Sequence, residues 1–312
     1  MKQRAKPVPS GFRLLVLIVP LLISCVFPSA VFAWSSAGHE VIAAIAWREL
    51  PAKTKNKTFE ILKAHPDFAK WRDSFQGGSD AVDLPAFVFI RASTWPDTIR
   101  RRQNPYDHPN WHYVDWPLHA PSYRLGNEPD PTNNVLYGIA QSQKVLANSK
   151  ASPEDRAAHL SWILHLCGDI AQPLHCVSLF NDAYPEGDKG GNEFFVKPAG
   201  RGIRLHSLWD GLLGTSGKAQ QHFNEAVRIA TEHPRKSLRE LKKHKTPREW
   251  SLEGRTLAIE KVYLRGKLRG GTSSETAAPL PEGYTKEAKE IAEQQAAKAG
   301  YRLADQLRHV IR

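Results

Sequence analysis

Cysteine is scarce in this 312-residue chain, with 3 in all. So few cross-linking residues exclude a disulfide-dense miniprotein. Long apolar runs are scarcer still: only residues 14–27 form one, and Pro20 interrupts it. A membrane span needs roughly 20 apolar residues, so this run reads as the core of a secretory signal rather than a retained anchor. Lys2, Arg4, Lys6 and Arg13 supply the basic head, and Val31 and Ala33 occupy the two positions that a signal peptidase inspects. The expected organisation is therefore a signal peptide over 1–33 and a mature domain over 34–312. A competing reading is Leu22-Ile23-Ser24-Cys25, which resembles a bacterial lipobox; processing at Cys25 would leave Trp34 inside the chain. Acid is also in deficit, with 32 Asp and Glu against 43 Lys and Arg, a net charge of +11. Residues 1–33 hold four basic and no acidic side chains, so removing them lowers the charge to +7. Such a balance suits an anionic substrate and equally serves solubility.

What remains is globular. With 41% hydrophobic and 24% charged residues, the chain is neither disordered nor collagen-like. Cys167 and Cys176 are the two cysteines left after the leader, and they could pair in an oxidising compartment or stay as buried thiols. Strand-like runs are few, the best being 192–197, half of a small hairpin. Helical spacing dominates: Val41, Ile42, Ile45, Ala46 and Leu50; Leu160, Ile163, Leu164 and Cys167 after the start signal Ser152-Pro153-Glu154-Asp155; and a final helix from Thr285 with a stripe of Ile291, Ala292, Ala296, Ala299, Leu303, Leu307 and Ile311. Further helices are expected near 53–64, 80–95, 133–149, 217–232 and 247–268. The stretches 103–110, 121–132 and 181–191 are rich in Pro, Gly and Asp and read as loops. The basic run 235–245 and the segment 270–274 read as solvated connections. No repeat and no long linker divides the chain, so a single all-α domain is expected.

The chemistry lies in an ordered series of histidines and aspartates: His39, Asp97, His112, His165 with Asp169, His175, and His206 with Asp210. Residues four apart share a helix face, so His165/Asp169 and His206/Asp210 can each present an imidazole and a carboxylate to one ion. About one such pair arises by chance in a chain with this many His and Asp, so spacing alone decides little. Context says more. Both pairs sit among apolar residues without a neighbouring Lys, where an uncompensated carboxylate is costly. Imidazole with carboxylate and no thiolate suits zinc at a catalytic site.

Read in order, Trp34, His39, Thr-Trp-Pro-Asp97-x-x-Arg100, Trp-His112-Tyr-Val-Asp115, His165-x-x-Gly-Asp169-x-x-Gln-Pro-Leu-His175, Gly190-Gly-Asn192 and Leu-His206-Ser-x-Trp-Asp210 resemble the trinuclear-zinc, single-strand-specific nucleases (S-one/P-one type), relatives of the bacterial zinc phospholipases C. Ala299-Gly-Tyr-Arg-Leu-Ala304 in the last helix is similar to that family's C-terminal helix. The resemblance implies three zinc ions per chain in a helical fold. One deep zinc would take Asp97, His112, His165 and Asp169. Its neighbour would take His39, Asp169 as a bridge, and the free amine and carbonyl of Trp34. The third would take His175, His206 and Asp210, and Asp at that last position favours the nuclease branch over the phospholipases. Two departures stand out: Arg204 where the family often has Asn, and the absence of the fungal disulfide cysteines.

What the resemblance implies is a secreted or periplasmic hydrolase acting on single-stranded DNA and RNA, leaving 5′-phosphates, with 3′-nucleotidase activity and no stable membrane association. Asp97 would orient the attacking water, and Arg100 would stabilise charge on the phosphoryl oxygens. Tyr113 is the candidate stacking platform for a base, Asp115 an acceptor from a base edge, and Asn192 a brace of the cleft or a substrate contact. A phospholipase C with the same metals, or a non-catalytic zinc protein of the same fold, are the alternatives. Loss of a ligand would favour the last, and none is lost.

Overall fold

The structure, a computed structural model, describes residues 34–77, 82–100, 102–119 and 128–311. The expected signal segment, the Cys25 motif and most of the 121–132 loop lie outside the described residues. The remainder is helical, as expected. Helices α1 (Ser36–Glu49), α2 (Ala52–Leu62), α3 (Phe68–Ser74), α4 (Leu84–Ala92) and α5 (Trp95–Ile99) come first. After a 3-10 turn at Pro109–His112 follow β1 (Trp116–His119), α6 (Val135–Ala147) and α7 (Pro153–Asp169). A second 3-10 turn at Pro173–Cys176 leads into β2 (Val177–Phe180), β3 (Phe195–Ala199), β4 (Arg201–Arg204) and α8 (Leu205–Asp210). The last third holds α9 (Ala219–Glu232), α10 (Glu240–Lys243), α11 (Pro247–Leu257), β5 (Ala278–Pro279) and α12 (Tyr284–Val310).

Two helices form the centre. Ser35 caps α1 by accepting from Gly38 N, and Ser152 caps α7 by accepting from Asp155 N, with Pro153 and two acids in the first turn as the start signal requires. From Ala37 to Trp47 and from Leu160 to Asp169 every side chain is buried, on all faces. The apolar stripes read from the sequence are thus parts of wholly enclosed helices, and the polar side chains those helices carry need partners inside the core. Helix α12 packs along α1, and at Gly300 an added Cβ would lie 2.5 Å from Ile45 Cγ2. The buried stripe of α12 runs through Ala288, Ala292, Ala296, Ala299, Leu303 and Leu307, while Ile291 is only partly covered.

Several boundaries differ from the sequence reading. The helix expected over 80–95 is broken at Ser93 and Thr94, whose hydroxyls donate back to Ile90 O (2.7 Å) and Arg91 O (3.0 Å). Such local bonds end a helix by replacing its ladder. The helix expected over 247–268 ends at Leu257 and continues as a π turn, Ala258–Val262, and a 3-10 turn, Leu264–Gly266. The basic run 235–245 is more than a solvated connection, because Arg235 pairs with Glu49 and Asp305. Nor is 270–274 one: Gly271 exchanges hydrogen bonds of 2.8 and 2.9 Å with Phe195. Cys167 and Cys176 are both buried and free.

The strands are small but place the site. The hairpin expected near 192–197 is β3–β4, extended to three strands by β5. Strands β1 and β2 run parallel, Trp116 opposite Val177. They set side by side the two 3-10 turns that precede them, one ending in His112 and the other carrying His175. Val114 N donates to His175 O (2.8 Å) and His175 Nδ1 donates to His112 O (2.6 Å). Among the described residues, no helix is long and apolar enough to cross a membrane.

Candidate metal centre

The C-terminal end of α7 is the anchor. His165 Nδ1 donates to Ser93 O at 2.8 Å; a carbonyl can only accept, so this bond leaves Nε2 as the lone-pair nitrogen. That nitrogen faces Asp169 Oδ2 (3.2 Å), His112 Nδ1 (3.0 Å) and Asp97 Oδ1 (3.8 Å). His39, brought in by α1, stacks on His165 with centroids 3.9 Å apart and places Nε2 3.3 Å from Asp169 Oδ1. The stack needs Gly168, since a Cβ there would sit 2.8 Å from His39 Nδ1. Asp169 therefore offers one oxygen to His39 and the other to His112 and His165.

A second convergence adjoins the first. His175 and His206 each donate Nδ1–H to a backbone carbonyl, of His112 and Gly190, both at 2.6 Å. Their Nε2 atoms, left as acceptors, face each other at 3.1 Å, and Asp210 Oδ2 lies 3.4 Å from that of His206. Three acceptors pointing at one spot repel unless a cation or a proton lies between them. The two convergences are contiguous: Asp169 Oδ1 is 3.9 Å from His175 Nδ1. Several buried donor atoms of the first group (His39 Nδ1 and Nε2, Asp97 Oδ1, His112 Nε2 and Asp169 Oδ1) make no hydrogen bond. Buried polar atoms are rarely left so, and here they mark a place where cations fit. Among the described residues, three such groups of side chains could each hold a metal ion: His39, His165 and Asp169; Asp97, His112 and His165; and His175, His206 and Asp210. A fourth group, Glu232, His233 and Glu293, differs, because Arg228 already neutralises both carboxylates.

Residues 34–312 match the S1/P1 Nuclease family. The chain belongs to the S1/P1 nuclease family. It is 24% identical over 291 residues to Nuclease S1 of Aspergillus oryzae, covering 88% of this chain and 90% of that protein. Endonuclease 2 of Arabidopsis thaliana is 24% identical over 323 residues, covering 96% and 98%. Endonuclease 4 of the same plant is 25% identical over 246 residues, covering 70% and 75%.

In this S1/P1-family chain the eight side chains named as ligands by the sequence resemblance are the eight that converge. Trp34 lies against them: it is fully buried, its Nε1 donates to Gly168 O at 3.0 Å, and Ser35 N donates to Asp210 O at 3.0 Å. Charge is poorly balanced without cations. Burial pushes the pKa of Asp210 well above its ordinary value, with Asp97 and Asp169 adding to the rise against the hydrogen bond from Gln172. For Asp169 burial also acts upward, but the charge of His165 and the hydrogen bond from His112 hold it well below. Burial would lower His165, yet Asp169 and Asp97 push it up to about 9. His175 falls to about 4, through burial and the neighbouring His206.

The remaining site residues separate. Arg100 lies 3.8 Å from Asp97 Oδ1, with its Nη1 buried and making no hydrogen bond. Tyr113 is half-buried and its hydroxyl donates to Asn110 Oδ1. Asp115 has its pKa pushed up to about 7 by burial and then by Asp188. Asn192 braces its own turn, donating from Nδ2 to Lys189 O. Arg204 stacks over Phe195, 5.9 Å from the ring centroid. Two residues carry more than the sequence reading gave them. Gln172 donates from Nε2 to Asp210 Oδ1 at 2.8 Å and accepts from Leu174 N, fixing the carboxylate; its place between Asp169 and His175 was the available signal. Asp188 is fully buried, and nothing in its loop-like surroundings marked it.

Proposed function

We propose that the chain is an exported zinc-dependent phosphodiesterase that cleaves single-stranded DNA and RNA to 5′-phosphorylated products and dephosphorylates 3′-nucleotides. The observation that carries this reading is the meeting of three acceptors, His175 Nε2, His206 Nε2 and Asp210 Oδ2, beside a second donor cluster in an S1/P1-family chain. The relatives' names, nuclease and endonuclease, support the reaction class. Three zinc ions would be held, one by Asp97, His112, His165 and Asp169, its neighbour by His39, Asp169 and the amine and carbonyl of Trp34, and the third by His175, His206 and Asp210. Bound zinc supplies Lewis acidity and a lowered water pKa.

The chain's own residues do the rest. Asp97, with Oδ1 free of hydrogen bonds, orients the attacking water. Arg100, close to Asp97, donates its buried Nη1–H to the phosphoryl oxygens as charge builds there. Tyr113 presents a ring face to a base, which reads no sequence and so suits single strands. Asp115, whose pKa burial pushes up to about 7, accepts from a base edge. Asn192 holds the cleft turn.

The family match beginning at Trp34 supports cleavage after Ala33, because an amine can be a ligand only at a free N-terminus. The test is one assay on two purified chains, beginning at Trp34 and at Ala33. Single-stranded DNA, RNA, 3′-AMP and phosphatidylcholine are offered with and without chelator. The expected result is hydrolysis of the first three by the Trp34 chain, abolished by chelator, with a crippled Ala33 chain. Phosphatidylcholine hydrolysis alone would turn the reading to a phospholipase, and equal activity of both chains would return Trp34 to an ordinary aromatic.

A further inference from the structure

The turn that holds His206 is itself held by a buried carboxylate. Asp188 is fully buried, and donors converge on it from three directions. Its Oδ1 accepts from Leu179 N at 2.9 Å and its Oδ2 accepts from the Tyr263 hydroxyl, while the backbone N–H groups of Gly190 and Gly191 also favour its ionised form. The carbonyls of the same two glycines face the opposite way. Gly190 O accepts from His206 Nδ1 at 2.6 Å and Gly191 O accepts from His206 N at 3.2 Å. Gly190 has φ +61°, and a Cβ there would lie 2.3 Å from Leu174 O, so the turn sits directly on the residue before His175.

Tyr263 is buried at the end of the π turn, a local break in helical winding of the kind often found beside functional sites. The preceding residue serves the other half of the group. The Tyr284 hydroxyl donates to Val262 O at 2.9 Å and accepts from Trp209 Nε1 at 3.1 Å, and Trp209 is the neighbour of Asp210. Residues 262 and 263 thus reach both helical ligands of one group, His206 through Asp188 and the glycine turn, Asp210 through Tyr284 and Trp209.

We propose that Asp188 is the positioning residue of the His175–His206–Asp210 site, fixing the ring of His206 through the peptide groups of Gly190 and Gly191. In many metal sites a carboxylate accepts directly from the ligand histidine and raises its basicity. Here the carboxylate acts one peptide away. It polarises the Gly190 and Gly191 amides, and the Gly190 carbonyl receives the Nδ1–H that leaves Nε2 as the ligand atom. An amide at position 188 cannot do this, because its NH2 would meet a donor where an acceptor is required.

This inference rests on the trinuclear reading above, and the experiment keeps the two apart. The full mature chain, Asp188→Asn and Tyr263→Phe are stripped of metal and titrated with zinc in a zinc-buffered solution. Zinc per chain, melting temperature and hydrolysis of single-stranded DNA are followed together. The expected result is that two zincs bind each variant as they bind the parent, while the zinc concentration that half-fills the third site rises by roughly 10- to 100-fold in Asp188→Asn. Tyr263→Phe, which loses one hydroxyl and little volume, shifts the third site alone and by less. Excess zinc restores hydrolysis in both. An unchanged third site in either folded variant, or equal weakening of every site, overturns the positioning role. A parent chain that takes up only two zincs overturns the trinuclear reading and, with it, this one.

Discussion

Asp169 shows how much one side chain can hold. Its two oxygens face different histidines, 3.3 Å from His39 on one side and 3.1 Å and 3.2 Å from His112 and His165 on the other. Asp169→Asn replaces one acceptor by a donor at the centre of two groups, so kcat should fall by about three orders of magnitude or more, as when a central member of a catalytic unit is lost. Tyr113→Ala should instead raise KM with kcat nearly kept, since stacking is felt equally by substrate and transition state. Steady-state kinetics on single-stranded DNA check both; wild-type turnover in Asp169→Asn would contradict the bridging role. At this scale the sequence was largely legible. Eight donors could be named because their motifs, taken in order, resemble those of the family; burial context alone singled out only the His165/Asp169 and His206/Asp210 pairs. Asp188 could not, because its acceptor role depends on Tyr263, 75 positions away, and on the backbone of a turn.

Elements were legible where local signals agreed with burial. Helix α7 begins where Ser152-Pro153-Glu154-Asp155 says it should, and α12 starts one residue before Thr285. Boundaries failed where a side chain or a neighbour overrode periodicity, at Ser93 and Thr94 and at the π turn after Leu257. The parallel pairing of β1 with β2 was beyond reach, since those strands are four residues each and meet only through the turns beside them. Between α11 and α12 lies a feature with a measurable pH signature. Glu253 accepts from Lys298, from Arg302 at 2.6 Å and from His244 at 2.9 Å, with both long cations buried. Burial acts to raise its pKa, but Arg302 and Lys298 outweigh it and bring the value to about 2, against an ordinary 4.5. A depressed carboxylate contributes stability above its unfolded value and loses it as pH falls toward the folded one. Glu253→Gln should therefore lower stability by about 3 kcal/mol at pH 7 by stranding two cations, with the gap to the parent constant down to pH 5 and closing between 4.5 and 2. Melting curves across that range test it; a gap that ignores pH would mean the carboxylate is not the anchor.

For the molecule as a whole, the fold surrounds its chemistry with two enclosed helices, α1 and α7, whose polar side chains have no water to fall back on. His39 reaches the site from one and His165 and Asp169 from the other, and the excess of lone pairs makes the core depend on what fills it. Cations that bind the folded chain and not the unfolded one should stabilise it by mass action. The dominance of helix follows from periodicity, whereas the closeness of the two donor clusters required the three-dimensional arrangement. The most direct measurement is a zinc titration of the metal-stripped chain beginning at Trp34, reading bound zinc, melting temperature and cleavage of single-stranded DNA in the same samples. The expected result is no cleavage at zero zinc, a melting temperature that climbs as sites fill, and full activity as occupancy reaches three. Full cleavage by a chain shown to hold no metal would contradict it.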